Sequence, residues 1–191
     1  MKAIHKRILD LSRLFPIALL FSFTALSQTE AIDPGTLNGD TYTNRSLGFT
    51  FKLAPGFFTD PKALAEAPHN QQTSVLISAW QKQPFGTLRP GIILSADRLS
   101  YYPQDRRTAE AYVARVVRAQ VADGYGIIRE RSVRKFGNST LICADFKKTL
   151  VYEAICVSTR RGFALTFVVA GASMDEVDKT IRSTNLEFDK D

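Results

Sequence analysis

Between Leu47 and Leu53 the chain alternates without a break. Leu47, Phe49, Phe51 and Leu53 fall on one face, and Gly48, Thr50 and Lys52 on the other. A period of two belongs to a strand with one face buried, and Pro55-Gly56 turns it. Apolar runs at 74–81 (SVLISAWQ) and 91–99 (GIILSADRL) predict two more strands, with the breaker-rich QPFGTLRP between them. The period then changes. From Thr108 to Asp123, with each residue turning by about 100°, Ala109, Tyr112, Val113, Val116, Val117 and Gln120 gather on one side of a helix. Arg107, Arg115 and Arg118 fall opposite. Thr108 is the predicted N-cap, Glu110 stands in the first turn, and Gly124 stops the helix. A meander of four strands follows at 126–136, 139–146, 152–159 and 163–170, turned by Gly137-Asn138 and by Arg160-Arg161-Gly162. Ser173 and Glu176 form a capping box that opens the last helix. This helix buries Met174, Val177, Ile181 and Thr184, and predicts Asp175–Lys179 and Asp178–Arg182 as i,i+4 pairs outside. A short strand from Leu186 to Phe188 closes the chain.

These elements define an α+β fold: a mostly antiparallel sheet of about seven strands carrying one long and one short amphipathic helix. Residues 28–41 are polar, contain Pro34, Gly35 and Gly39, and are expected to be a flexible leader. Residues 42–191 form one domain, with 60–72 a polar connection inside it. No internal repeat and no low-complexity tract interrupts this pattern.

The first 27 residues have a different character. Lys2, Lys6, Arg7 and Arg13 precede an apolar run from Leu14 to Leu26, and Ala25 and Ser27 then take the −3 and −1 places of a signal-peptidase site. A cut after Ala31, with Thr29 at −3, is the other option. The run is 13 residues and contains Pro16, whereas a bilayer span needs roughly 20. A cleaved signal peptide at 1–27 is therefore expected over a retained anchor, with export to a periplasmic or extracellular compartment. No transmembrane segment is expected after cleavage. Export also changes the charge balance. The whole chain has 25 Lys+Arg against 19 Asp+Glu, a net of +6; without the four bases and one acid of the signal, 21 and 18 remain, a net of +3. That modest value gives no support for a nucleic-acid partner.

Two cysteines follow the signal, Cys143 and Cys156. An exported protein matures where disulfides persist. If the hairpin of 139–146 and 152–159 centres between Thr149 and Leu150, the two stand directly opposite, within a small adjustment of bonding reach. A slip of one residue would put them on opposite faces as two separate buried thiols. Both readings stand at this point.

The search for chemistry finds little. His5 leaves with the signal, so His69 is the one histidine of the mature chain, in a loop between Pro68 and Asn70. A lone loop histidine is a solvated residue unless a partner positions it. One histidine and two cysteines about 70 residues away match no known zinc spacing. No phosphate-cradling glycine motif and no GxSxG elbow occurs. The sequence thus offers no catalytic, cofactor-binding or metal residue, and no enzyme is expected. Basic residues form the one patterned surface. Arg107, Arg115 and Arg118 on the helix, with Arg129, Arg131, Arg134 and Lys135 on the next strand, are a candidate partner surface for an anionic protein or lipid. Glu110, Asp123 and Glu130 are placed to balance them as an ordinary solvated face. Phe57, Phe58, Trp80, Phe85, Tyr101 and Tyr102 lie near strand ends, where they line an apolar patch or join the core. Asn44-Arg45-Ser46 and Asn138-Ser139-Thr140 match the N-glycosylation acceptor pattern.

The stretch Tyr42-Thr43-Asn44-Arg45-Ser46-Leu47-Gly48-Phe49, followed by Pro55-Gly56-Phe57, resembles the opening of PsbP-like proteins. So does the close, where FALTFVVA leads into a Ser-initiated helix and a short strand. The resemblance spans 42–188 in layout, although here the turn is Pro-Gly-Phe without a spacer and Phe57 stands where Trp is commoner. It implies an α/β/α sandwich and, in function, a non-catalytic accessory or assembly subunit on the far side of a membrane. No residue role carries over. The expectation is an exported, non-catalytic binding or assembly module of the cell envelope with a protein partner. The alternative is a carrier of a small apolar or lipid ligand held in a pocket between sheet and helix. A hydrolase with an unrecognised site is a third reading.

Overall fold

A computed structural model of the chain describes residues 31–59, 70–82 and 90–190. The signal segment, the 60–69 connection with His69, and Phe85 lie outside the described residues. The described elements are β1 (Thr36–Asn38), β2 (Thr41–Asn44), β3 (Phe49–Lys52), β4 (Phe57–Thr59), β5 (Thr73–Gln81) and β6 (Gly91–Arg98). There follow α1 (Ala109–Ala122), β7 (Gly126–Phe136), β8 (Ser139–Lys148), β9 (Val151–Arg160), β10 (Phe163–Gly171), α2 (Met174–Ser183) and β11 (Asn185–Phe188). They build two antiparallel sheets, one in the order β1-β2-β3-β11 and one in the order β4-β5-β6-β10-β9-β8-β7.

The strands at the middle of the large sheet are apolar on both faces, so both faces must be covered. Toward one face, Leu141, Cys143, Leu165, Phe167 and Val169 meet Phe49, Phe51 and Leu186 of the small sheet and Val177 and Ile181 of α2. Toward the other, Ala144, Phe146, Ile155, Val157 and Ala164 meet Leu99 and Tyr112 and Val113 of α1. The Phe167 ring lies 5.3 Å from Phe51 and 5.4 Å from Phe136. One side chain therefore joins the small sheet, the centre of the large sheet and its edge hairpin. The eight strands read from the sequence are present, though not all in one sheet. The strand at 47–53 and the closing strand leave for the small sheet, and β4 takes the vacated edge of the large one. Three-residue strands such as β1 and β4 are too short to leave a periodic signal in a sequence.

The Tyr42-to-Phe49 stretch has a physical reason for its residues. Asn44, fully buried, accepts from the Leu47 amide at 2.8 Å and donates to the Asp33 carbonyl at 2.7 Å. It closes the β2–β3 turn from inside. At Gly48 φ is +69°, and a Cβ there would sit 2.5 Å from the Arg161 guanidinium. Arg161 in turn donates to the Arg45 carbonyl at 2.8 Å and the Ser46 carbonyl at 3.2 Å.

Residues 31–41 are mostly exposed, yet the chain holds them at several points. Ile32 is buried, Tyr42 donates to the Pro34 carbonyl at 2.8 Å, and Thr36–Asn38 pairs with β2. Their polar composition hides this because the polar groups are satisfied locally. Asp33 accepts from the Gly35 amide and the Ser46 hydroxyl, which holds its carboxyl below the usual carboxylate range. On α2, Ser173 caps as expected, accepting from the Glu176 amide at 3.2 Å. The Glu176 carboxylate reaches back to the amide of Ala172 rather than to that of Ser173. The exposed pairs are not formed. Asp178 instead meets Arg134 at 3.2 Å, since a largely buried guanidinium is a better partner than a solvated Arg182.

Replacing Phe167 with Ala removes the common member of the aromatic cluster and is expected to cost about 3–5 kcal/mol in urea unfolding. Leu150→Ala, at a tip 76% exposed, should stay within about 0.5 kcal/mol.

Candidate functional site

The β8–β9 hairpin turns at Thr149-Leu150, which sets Lys148 against Val151 and Cys143 against Cys156. The two cysteines form a disulfide within the core. Of the two readings the sequence left open, the paired one holds, because the two-residue turn places the register where the opposed geometry needs it.

Two buried polar clusters sit on the two faces of the large sheet. Under the start of α1, the buried Asp97 accepts from the hydroxyl of Tyr112 at 2.5 Å and from that of Thr73. Burial, then the nearby Asp97 carboxylate, push the Tyr112 phenol well above its usual range. Tyr102 meets the Tyr112 ring edge-on, and the Arg115 guanidinium lies 4.8 Å over Tyr102 and 5.7 Å from Tyr112. Both carboxylate oxygens of Asp97 are thus held by hydroxyls of its own chain. The cluster fastens the helix start to β5 and β6.

On the other face, Asp145 is fully buried and Arg134 holds it with two arms, Nη1 to Oδ1 at 2.7 Å and Nη2 to Oδ2 at 2.8 Å. Arg129 approaches at 3.7 Å, and Arg134 also reaches Asp178. Burial pushes the Asp145 carboxyl upward, against the pull of Arg134 and Arg129. A charged pair this dry is weak as a source of stability but costly to break. It ties the last long strand, β7, to both β8 and α2.

Among the described residues, β7 forms one edge of the large sheet and pairs with β8 alone. It is 11 residues long, shifts register between Ile127 and Arg129 and again between Arg129 and Ser132, and is exposed over most of its length. Ile127, Ile128 and Val133 are 39%, 44% and 65% exposed. Beside it, a recess of about 340 Å³ opens between α1 and the sheet, floored by Val113, Val117 and Ile142 and rimmed by Glu110, Arg118, Glu130 and Arg131.

The arginines singled out in the sequence have different neighbours. Arg107 precedes α1 and donates to the Tyr102 carbonyl at 2.8 Å. Arg115 packs on the two tyrosines, and Arg118 rims the recess toward β7. On β7 itself, Arg131 meets Glu110 at 3.6 Å. The aromatic residues are also divided. Phe58 pairs with Trp80 at one end of the sheet, where Trp80 covers Gly91; Tyr101 and Tyr102 lie with the segment after β6. Among the described residues no group of three or more His, Cys, Asp or Glu side chains is placed to hold a metal ion, and no helix is long and apolar enough to cross a membrane. The two buried clusters were missed in the sequence. A single signal existed for one of them: Asp145 interrupts an otherwise apolar strand, LICADF.

No family model matches the chain, and no curated protein does. Among solved structures, the solution structure of cyanobacterial PsbP (CyanoP) from Synechocystis sp. PCC 6803 is similar over 80% of this chain and 98% of its own, at 15% identity and a TM-score of 0.49. The crystal structure of LpqN, involved in cell envelope biogenesis of Mycobacterium tuberculosis, is similar over 74% of this chain and 93% of its own. Its identity is also 15%, with a TM-score of 0.36. A PsbP is thus among the neighbours of a chain whose opening and closing segments resemble that family, and the likeness is one of layout.

Arg134→Met leaves Asp145 buried without its partner and should cost about 3–5 kcal/mol. The double variant Arg134→Met with Asp145→Leu should recover most of that loss in the same chemical denaturation. Alkylation of the unreduced protein should modify neither cysteine, and reduction under denaturing conditions should release two thiols by mass.

Proposed function

We propose that this chain is an exported, non-catalytic binding module of the cell envelope, and that it receives an acidic, extended segment of a protein partner along the free edge of β7. The observation that carries the reading is that edge: eleven residues with one side unpaired and Ile127, Ile128 and Val133 exposed. A free edge offers a row of amides and carbonyls to an added strand, and pockets beside it give selectivity. The recess between α1 and the sheet is such a pocket, rimmed by Arg118 and Arg131 together with Glu110 and Glu130. Asp145 engages Arg134 and Arg129, and Glu110 engages Arg131, so Lys135 is the base of β7 with no ion pair among the described residues, and it draws in an acidic strand. Export is supported by the N-terminal pattern and by a disulfide that needs an oxidising compartment.

A carrier would need an enclosed apolar volume between sheet and helix. That interface is filled by Tyr112, Val113, Phe146 and Val157, and this favours the binding module over the carrier.

A photo-crosslinking residue placed at Val133 in the exported protein should give one discrete adduct, whereas the same residue at Leu150 should give none. Lys135→Glu should reduce the Val133 adduct several-fold. Equal adducts from the two positions, or a bound small molecule in native mass spectrometry without any adduct, would overturn the reading.

A further inference from the structure

We propose, resting on the reading of β7 as a strand-accepting edge, that the partner strand is short and antiparallel to it. An acidic residue of the partner faces Lys135, and an apolar residue two positions later faces Val133. The hairpin decides which backbone groups the edge offers. β7 and β8 close through the two-residue turn Gly137-Asn138, with Phe136 opposite Ser139, and such a turn closes on a pair that exchanges its hydrogen bonds. Every second residue repeats that state, so Arg134 pairs in this way with Leu141 and Ser132 with Cys143. The next hairpin has the same phase. β8 and β9 close at Lys148 and Val151, which turns alternate residues of β8 to β9 and leaves Cys143 to β7. The Cα atoms of Cys143 and Cys156 stand 4.0 Å apart, the close spacing of a pair that exchanges no hydrogen bond. The amides and carbonyls of Val133 and Lys135 therefore point away from β8, to the open side.

Both ends of this stretch are bounded. On one side the register shifts between Arg129 and Ser132, so Glu130 and Arg131 bulge and a partner cannot continue in step. On the other, Gly137 bridges Leu186 of β11. The regular edge is thus the five residues from Ser132 to Phe136. Their side chains sort by face. Arg134 turns to Asp145 and Phe136 to Phe167, so Val133 and Lys135 lie on the α1 face. Val133, 65% exposed, stands opposite Ile142, which floors the recess beside α1. An apolar residue facing Val133 extends that floor.

Charge sets the direction. Lys135 is exposed and makes no ion pair among the described residues. Glu130, exposed and equally without one among them, stands at the bulged end, where its neighbour Arg131 is taken by Glu110. An acid on the partner is therefore attracted opposite Lys135 and repelled toward Glu130. The strand pairs described in the large sheet are all antiparallel, and the antiparallel ladder is the more stable per residue. In an antiparallel partner the residue facing Lys135 comes first, so the segment reads acid, any residue, apolar.

Amide NMR of the isotope-labelled exported protein, titrated with short capped peptides, tests this. In the free protein the amides of Val133 and Lys135 should exchange with solvent at least about tenfold faster than that of Arg134. Equal protection of the three would overturn the assignment of the open side. The peptide Thr-Thr-Glu-Thr-Val-Thr-Thr should bind about threefold to fivefold more tightly than Thr-Thr-Val-Thr-Glu-Thr-Thr. Methylation of its Val amide, which faces β7, should abolish binding, and methylation of the central Thr amide should not. Lys135→Gln should erase the preference for Glu over Gln in the peptide while the urea midpoint stays unchanged. Equal binding of the two sequence orders, or of the two methylated peptides, would overturn the proposal. If no peptide binds while the Val133 adduct forms, the partner pattern fails and the reading of β7 stands. If neither occurs, both fail.

Discussion

The two-sided burial of β8, β9 and β10 is the constraint on which the molecule rests. Strands apolar on both faces cannot sit in water on either side, so each face needs a cover. α1 supplies one, through Tyr112 and Val113. The small sheet and α2 supply the other, and Phe167 is the side chain at which they meet. The sandwich follows from that requirement. Residues 31–41 follow too, since the small sheet can cover its share only with Ile32 and Tyr42 drawn into the core.

Covalent and ionic links then act on the same side of the large sheet. The Cys143–Cys156 bond joins β8 to β9, and Asp145, two residues beyond Cys143, holds β7 through Arg134. The sheet is thus most strongly cross-tied near its exposed edge. This is where a module that binds by accepting a strand needs rigidity. An edge that shifted register on binding would lose the alternation of its side chains. The polar clusters are consequently supports for surfaces. Asp97 fixes the start of α1, and Asp145 fixes β7; each has its oxygens occupied by its own chain. What faces outward is a charged, partly apolar edge along β7.

Much of the fold was legible in the sequence. The alternation from Leu47 to Leu53, of which the strand takes Phe49–Lys52, the amphipathic run after Thr108, the Ser173 cap and the three hairpin turns of the meander are local signals written along the chain. Cys143 opposite Cys156 could be posed from the same local count, because a hairpin's register is set by its turn. The family resemblance also rested on local necessity: Asn44 and Gly48 are there because the β2–β3 turn needs a buried amide and a residue with positive φ.

Tertiary structure alone decided which sheet each strand joined, where the charges were spent, and what stayed exposed. Nothing in a two-residue period distinguishes β3, which left for the small sheet, from β5, which stayed in the large one. Asp178 appeared to belong to Arg182 one turn away and proved to belong to Arg134 on another element. Arg107, Arg115 and Arg118 looked like one basic face and took three different tasks. The physical reason is range. Period, caps and turns act within a few residues and are written along the chain. An ion pair or a free sheet edge depends on residues brought together from far apart, and composition does not record which of them meet.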